Sequence, residues 1–235
     1  MRPVALIRND SLEDFGVVAD QFRQDGVPFL MVNAWEMALP DLDEVSALAV
    51  FGGGQHIWEI ERHPDLVAER DLIRQGVESV RPVLGICLGS QLLAAAMGGG
   101  VHPAERRQCR FAPFYPTEAG ATDTLFSVFS PGDLVFHWHG DTWDLPDGGE
   151  LLSSSDVVPN QSFRVGDVAW GSQFHFEVTP EALEQWITAA APELPATWGR
   201  TGEDIRMEAR RFLGKQQERA RELVRRFARV VVSSG

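Results

Sequence analysis

The stretch that most restricts how this chain folds is Arg81 to Gly98, RPVLGICLGSQLLAAAMG. Pro82 to Ile86 reads as a short buried strand, and Leu88 to Met97 as a helix stopped by Gly98. Cys87 therefore falls on the turn where a strand passes directly into a helix. A side chain there projects from the sheet edge, and the residues two before and two after must be small because strand and helix crowd against them. Gly85 and Gly89 meet that demand. The mechanics are those of a G-x-S-x-G nucleophile elbow with sulfur in place of oxygen, and a helix N-terminus favours a thiolate. A lone cysteine in an apolar run is ordinarily a packing residue; the paired glycines and the strand-to-helix switch point instead to a nucleophile.

The segments upstream have βαβ punctuation. Val4 to Ile7 predicts a strand, Leu12 to Gln24 a helix stopped by Gly26, and Val27 to Val32 a second strand. Ser46 to Phe51 predicts a third strand, ending in Gly52, Gly53 and Gly54 at the edge where ligand loops collect in open α/β sheets. Pro64 to Val80 has a helical apolar face and leads into the Cys87 strand, so a parallel sheet is expected. Beyond Gly98, the runs Val101 to Ala104, Arg110 to Pro116, Asp133 to Trp138, Glu150 to Ser153 and Val168 to Phe176 predict shorter strands, an antiparallel extension of the sheet. Thr179 and Pro180 supply an N-cap and first-turn pair for a helix to about Ala190. From Glu203 onward, Ile205, Ala209, Phe212, Leu213, Ala220, Leu223, Val224, Phe227, Ala228 and Val231 form a helical stripe, a tail whose many arginines read as its solvated face.

A nucleophile needs a base. His175 and Glu177 in GSQFHFEV stand two apart, and on a strand end that spacing puts imidazole and carboxylate on one face, with the carboxylate fixing the tautomer. Taken alone His175 is an ordinary structural histidine; behind an elbow cysteine, Cys87, His175 and Glu177 compose a triad. The 235 residues suit one domain with a helical tail. A formal net charge of -13 argues against nucleic acid or an anionic membrane as partner. Two cysteines, no secretory h-region and no apolar run of spanning length set a cytoplasmic expectation.

GICLGSQLL, the glycine loop after Phe51, HWHGD at His137 to Asp141 and GSQFHFEV together resemble the class I, triad-type glutamine amidotransferases, in particular the glutaminase domain of GMP synthase and its free-standing relatives, over roughly Val4 to Trp186. The resemblance implies a three-layer, flavodoxin-like α/β fold, a mostly parallel sheet with an antiparallel extension and a C-terminal helical tail. It divides the chain into a catalytic domain, residues 1–192, and a helical extension, residues 193–235, packed on the same domain. It also implies Cys87 as nucleophile, His175 as acid and base and Glu177 as its orienting partner. The N–H groups of Gly53 and Leu88 become the oxyanion hole, and Gln91, His139, Gly140 and Asp141 the glutamine-binding residues. Phe176 stands where the family usually has proline, and so does Gly54 in the glycine loop.

The expected activity is hydrolysis of the γ-carboxamide of glutamine through a cysteinyl γ-glutamyl thioester, with no cofactor and no metal. The ammonia would go to an acceptor on a separate synthetase or acceptor subunit, because the chain ends after one helical tail. One alternative keeps the triad and exchanges glutamine for a γ-glutamyl amine or peptide. Another makes His137, His139 and Asp141 the ligands of a metal-dependent hydrolase, since H-x-H-x-D on a strand puts three ligands on one face. A non-catalytic regulatory subunit on the same fold is the third. Cys109 is assigned no role.

Overall fold

The structure, a computed structural model, describes residues 1–234. In chain order its strands and helices are β1 (Val4–Arg8), α1 (Gly16–Asp25), β2 (Phe29–Asn33), β3 (Ala47–Val50), α2 (Pro64–Glu78), β4 (Val83–Ile86), α3 (Leu88–Ala96), β5 (Val101–Pro113), β6 (Tyr115–Pro116), α4 (Glu118–Thr122), β7 (Leu134–Trp143), β8 (Gly149–Ser154), β9 (Ser162–Val165), β10 (Ala169–Ser172), α5 (Pro180–Ala190) and α6 (Gly202–Ser233). Eight strands form one sheet in the order β2-β1-β3-β4-β10-β9-β8-β6. The first five run parallel, and β9, β8 and β6 continue antiparallel. This is the expected α/β architecture with its antiparallel extension.

Strand alternation distributes the core to both faces. Val4 and Leu6 of β1 point into the layer shared with α1 and α6, while Ala5 and Ile7 point into the layer shared with α2 and α3. The apolar stripe of α6 is buried as the spacing predicts, with Leu223, Val224 and Phe227 fully covered. A capping box between Thr201 and Asp204 starts this helix, satisfying N–H groups that its first turn leaves free. Its arginines are more than a solvated face: Arg206 pairs with Glu184, Arg219 with Asp133 and Arg225 with Asp25, tying a basic helix onto an acidic body. Thr179 and Pro180 open α5 as expected, the threonine oxygen accepting from the Ala182 N–H.

Three expectations are corrected. Helix α1 begins at Gly16, not Leu12: the Gly16 N–H is taken by Asp14 Oδ1 and the Val17 N–H by the Glu177 carbonyl, so residues 12–15 stay a loop at the sheet edge. The runs at 101–104 and 110–116 are mostly one long strand, β5, bulged between Pro103 and Gln108. It pairs with β7 as a separate two-stranded ribbon, not as part of the main sheet. Strand β9 was not expected.

The pairing of β10 with β4 sets up the site. Ser172 lies in register with Ile86, so the chain leaves both strands at the same edge, Cys87 from one and Gln173 from the other. On the other side of β4, Val50 of β3 registers with Gly85, which brings the Gly52–Gly54 loop to that edge too. At the elbow, a Cβ on Gly89 would stand 2.0 Å from the Val50 carbonyl oxygen, and one on Gly85 2.4 Å from the Gly89 oxygen. Both obstacles are backbone and cannot rotate away. Gly89→Ala is therefore expected to destabilise the fold by about 3 kcal/mol or more, the upper range for overpacking, read as a lowered urea midpoint.

Candidate active site

Cys87 occupies the turn between β4 and α3 with φ 52° and ψ -108°, a conformation that favours glycine. The surroundings hold it there. Its N–H donates to the Ser172 carbonyl at 2.7 Å, and its own carbonyl accepts from the N–H groups of Ser90 and Gln91 and from Ser90 Oγ. The thiol is buried and free. Gln173 Nε2 points at the sulfur from 3.7 Å, and the Trp138 carbonyl of β7 stands 4.0 Å away.

His175 and Glu177 are not on a strand. β10 ends at Ser172 and the pair lies in the irregular segment that follows, yet His175 Nδ1 and Glu177 Oε1 are 2.7 Å apart and both side chains are buried. That contact leaves Nε2 as the free face of the ring. Trp186 packs edge-on against the imidazole at 4.9 Å, its indole N–H committed to the Leu12 carbonyl. Burial disfavours the charged ring, but the opposing charges of Glu177 and Cys87 outweigh it, and His175 is held well above its usual 6.5. Phe176 points away into the apolar core, so the absence of proline between the pair leaves their contact intact.

The glycine loop closes over these groups. A Cβ on Gly52 would meet Glu13 Oε1 at 2.8 Å and His175 Cε1 at 3.2 Å, and one on Gly53 would meet Leu88 Cδ2 at 2.8 Å. Underneath, Asn9 Nδ2 reaches Glu69 Oε2 at 3.3 Å and the Phe51 carbonyl at 3.5 Å. Glu13 and Glu69 were not singled out from sequence, and both are buried carboxyls raised to about 8 by desolvation. Glu13 faces His175, Glu177, Asp10 and Asp14; the histidine lowers its value and the three carboxylates raise it. Its folded value lies above the unfolded one, so its contribution is intact below about pH 4.5 and is lost as pH rises towards 8. Glu13→Gln is accordingly expected to become increasingly stable relative to the parent chain across that window, by about 1.4 kcal/mol per pH unit at most, measured by urea unfolding at pH 5, 6.5 and 8.

The residues assigned to glutamine binding are brought to the site unequally. His139 is buried on β7 with Nδ1 3.0 Å from the Asp141 carbonyl, which leaves Nε2 without a protein partner. Desolvation holds His139 down at about 4 and His137 well below 6.5, so both rings are neutral. The Asp141 carboxylate is turned to His56 Nδ1 at 2.6 Å, and the half-exposed His56 is stacked on Trp58. Gly140 faces Arg107. Gln91 is buried with Nε2 directed at Gln173 Oε1, 3.3 Å away, so it reaches the sulfur's surroundings through Gln173. The Asp141 carboxylate is committed to His56, and no group of three His, Cys, Asp or Glu able to hold a metal ion occurs among the described residues. Cys109 is buried and pushed up to about 12 by desolvation. No described helix is long and apolar enough to cross a membrane.

The sequence pattern of the family "Glutamine amidotransferase class-I" matches residues 18–190. The chain is 35% identical over 202 residues to the glutamine amidotransferase-like protein YfeJ of Salmonella typhimurium, an alignment covering 84% of each. It is 38% identical over 99 residues to the glutamine-hydrolysing GMP synthase of Porphyromonas gingivalis, covering 41% of this chain and 19% of that one. The crystal structure of a glutamine amidotransferase from Thermotoga maritima superimposes with a TM-score of 0.87 at 30% identity, over 96% of this chain and 97% of the other.

Proposed function

The chain belongs to the class-I glutamine amidotransferase family, and from that membership we propose that it hydrolyses the side-chain amide of glutamine through a γ-glutamyl thioester on Cys87, releasing ammonia. The observation that carries this reading is the meeting, at one sheet edge, of a nucleophile-elbow thiol and a buried imidazole whose Nδ1 is held by a carboxylate at 2.7 Å. Residues 1–192 form the catalytic unit in this reading, and residues 193–235 a helical extension packed on it. The sulfur of Cys87 attacks the amide carbon, and the N–H groups of Gly53 and Leu88 receive the developing oxyanion. His175, protonated and oriented by Glu177, gives the Nε2 proton to the departing amide nitrogen. The same ring then takes a proton from water as it attacks the thioester, which yields glutamate and restores the thiol. Gln91 supports the pocket through Gln173, and His139 and Asp141 line its β7 wall. No cofactor enters.

The alignment to GMP synthase spans about a fifth of that enzyme, so delivery of ammonia to a separate synthetase or acceptor subunit is part of the proposal. One observation supports γ-glutamyl amines as alternative substrates: Trp58, half-exposed and stacked on the His56 that pairs with Asp141, offers an aromatic surface to a larger leaving group. The test is mass spectrometry after exposure to a diazoketone analogue of glutamine, with glutamine and γ-glutamyl amines as competitors. Labelling of Cys87, protected best by glutamine, is expected. Labelling elsewhere, or full activity retained after Cys87 is labelled, would overturn the mechanism, and stronger protection by the amines would select the alternative.

A further inference from the structure

The segment carrying His175 lies outside any strand, so each of its buried backbone groups needs a partner from elsewhere. The His175 N–H donates directly to the Phe136 carbonyl of β7 at 2.8 Å. An antiparallel pair would return the favour with Phe136 N–H to His175 carbonyl. Here the side-chain amide of Gln216 is inserted between them: the Phe136 N–H donates to Gln216 Oε1 at 2.6 Å, and Gln216 Nε2 donates to the His175 carbonyl at 2.9 Å. One amide thus replaces a missing ladder bond, wedged between the wall of the pocket and the peptide that carries the imidazole.

Other groups brace the same segment. Gln217 Nε2 reaches the Val178 carbonyl at 3.3 Å, and the Val17 N–H reaches the Glu177 carbonyl at 2.8 Å. Gln216 and Gln217 both come from α6, beyond the residues 18–190 that match the family. Gln216 is only 2% exposed, and it lies on the buried stripe of the helix, three residues after Leu213 and four before Ala220. A polar side chain on an apolar stripe costs stability unless both ends of its amide are matched, as they are here.

We infer that Gln216 is a positioning residue for His175, making α6 a working part of the hydrolytic site. The inference rests on the proposed triad, and acts through the backbone: Gln216 touches neither the imidazole nor the sulfur in the structure's hydrogen bonds. Without the amide, the His175 carbonyl and the Phe136 N–H are both left buried and unpaired. The segment must shift to reach other partners, moving the ring relative to Glu177 and Cys87. A displacement near 1 Å in such a site costs up to about 100-fold in rate.

The test compares Gln216→Met, which keeps the bulk but loses both bonds, with Leu223→Ala, which weakens α6 packing without touching the segment. Both are made in the full chain, alongside Gln216→Glu. Three quantities are read: kcat and KM for glutamine, the rate of iodoacetamide addition to Cys87 at pH 7, and the pH at which the His175 imidazolium gives up its proton by NMR. For Gln216→Met, kcat is expected to fall about 10- to 100-fold with KM within about threefold. Iodoacetamide addition slows by about tenfold or more, and the His175 transition moves down towards 6.5. Leu223→Ala lowers the melting temperature but leaves all three readings near the parent chain.

Gln216→Glu keeps an acceptor for the Phe136 N–H and regains a donor only when protonated. Its alkylation rate relative to the parent is therefore expected to recover as pH falls from 8 to 5, a recovery that loss of packing does not produce. It decides the matter if Gln216→Met does not fold. Unchanged kinetics and an unmoved His175 transition in Gln216→Met, or in Gln216→Glu no loss and no recovery, would overturn the inference. A parent chain that releases no ammonia from glutamine would count against the proposed function instead, and the alkylation and NMR readings would still judge Gln216.

Discussion

Cys87→Ala is expected to lose glutamine hydrolysis by about 10,000-fold or more, and Cys87→Gly to be equally inactive while melting at a higher temperature than Cys87→Ala. The first effect follows from chemistry. In the proposed mechanism Cys87 forms the acyl intermediate, and removing the nucleophile of such a triad leaves only oxyanion donors and substrate binding to accelerate the reaction. The second follows from the backbone. At φ 52° and ψ -108° a Cβ is strained, at a cost of order 1 to 3 kcal/mol. Alanine retains that Cβ and glycine does not. Against this, glycine costs about 0.4 to 1 kcal/mol through the greater freedom of the unfolded chain. The balance favours glycine by about 1 kcal/mol, a shift resolvable by thermal melting of the two inactive proteins side by side. Equal melting temperatures would limit the strain to the roughly 0.4 to 1 kcal/mol that glycine's freedom costs; ammonia released by Cys87→Ala at the parent rate would remove Cys87 from the reaction.

The elbow could be found in the sequence because its requirements are local. A strand, a turn residue and a helix in direct succession force small neighbours at fixed offsets, and Gly85 and Gly89 record that crowding in the residue types themselves. The N-cap pair Thr179 and Pro180 was legible for the same reason, as was the parallel start of the sheet, where short βαβ connections leave few arrangements open. The sequence reads α1 as longer than it is because Leu12 fits the apolar spacing; what stops the helix at Gly16 is the Glu177 carbonyl, 161 residues away along the chain. The sequence does not separate the β5–β7 ribbon from the main sheet, because strand patterning reports burial of a face and says nothing about which sheet covers it.

Site residues divide along the same line. Those proposed as the triad, Cys87, His175 and Glu177, stand out in the sequence by the motifs around them. Glu13, Glu69 and Gln216 do not, because an acid or an amide looks solvated until tertiary contact buries it, and Gln173, though inside the His175 motif, shows its place beside the sulfur only in the fold. Gln216 did leave a trace. The apolar stripe of α6 steps by three or four from Ile205 through Ala209, Phe212 and Leu213, then jumps to Ala220, and position 216 fills the gap. A glutamine where the helical period demands an apolar residue is a sign that something opposite needs an amide. His175 and Glu177 were expected to share a strand face; they meet off the strand, because bonds from β7, α1 and α6 hold the segment between β10 and α5.

That held imidazole is where the second large effect is expected. His175→Ala should lower kcat by about 100- to 10,000-fold, the usual range for a general acid and base, with a smaller change in KM. Glu177→Gln separates position from charge. An amide oxygen can still accept from Nδ1, so the ring stays oriented, but the charge that lifts His175 above its usual 6.5 is gone and desolvation by the buried site goes unopposed from that side. The imidazolium then gives up its proton at lower pH. In the proposed mechanism that ring protonates the departing amide nitrogen, so activity of Glu177→Gln is expected to fall off at lower pH than in the parent chain, with kcat at pH 8 reduced more than at pH 6. Stability follows the same sign: the raised value of His175 contributes fully below about pH 6.5 and is lost as pH rises through the folded value. Pairing with Glu177 therefore stabilises the parent over Glu177→Gln more at pH 6 than at pH 9. A kcat profile of Glu177→Gln that parallels the parent at every pH would mean that Glu177 acts by orientation alone. The effect of Gln216 on the same ring would then be one of geometry and not of proton affinity.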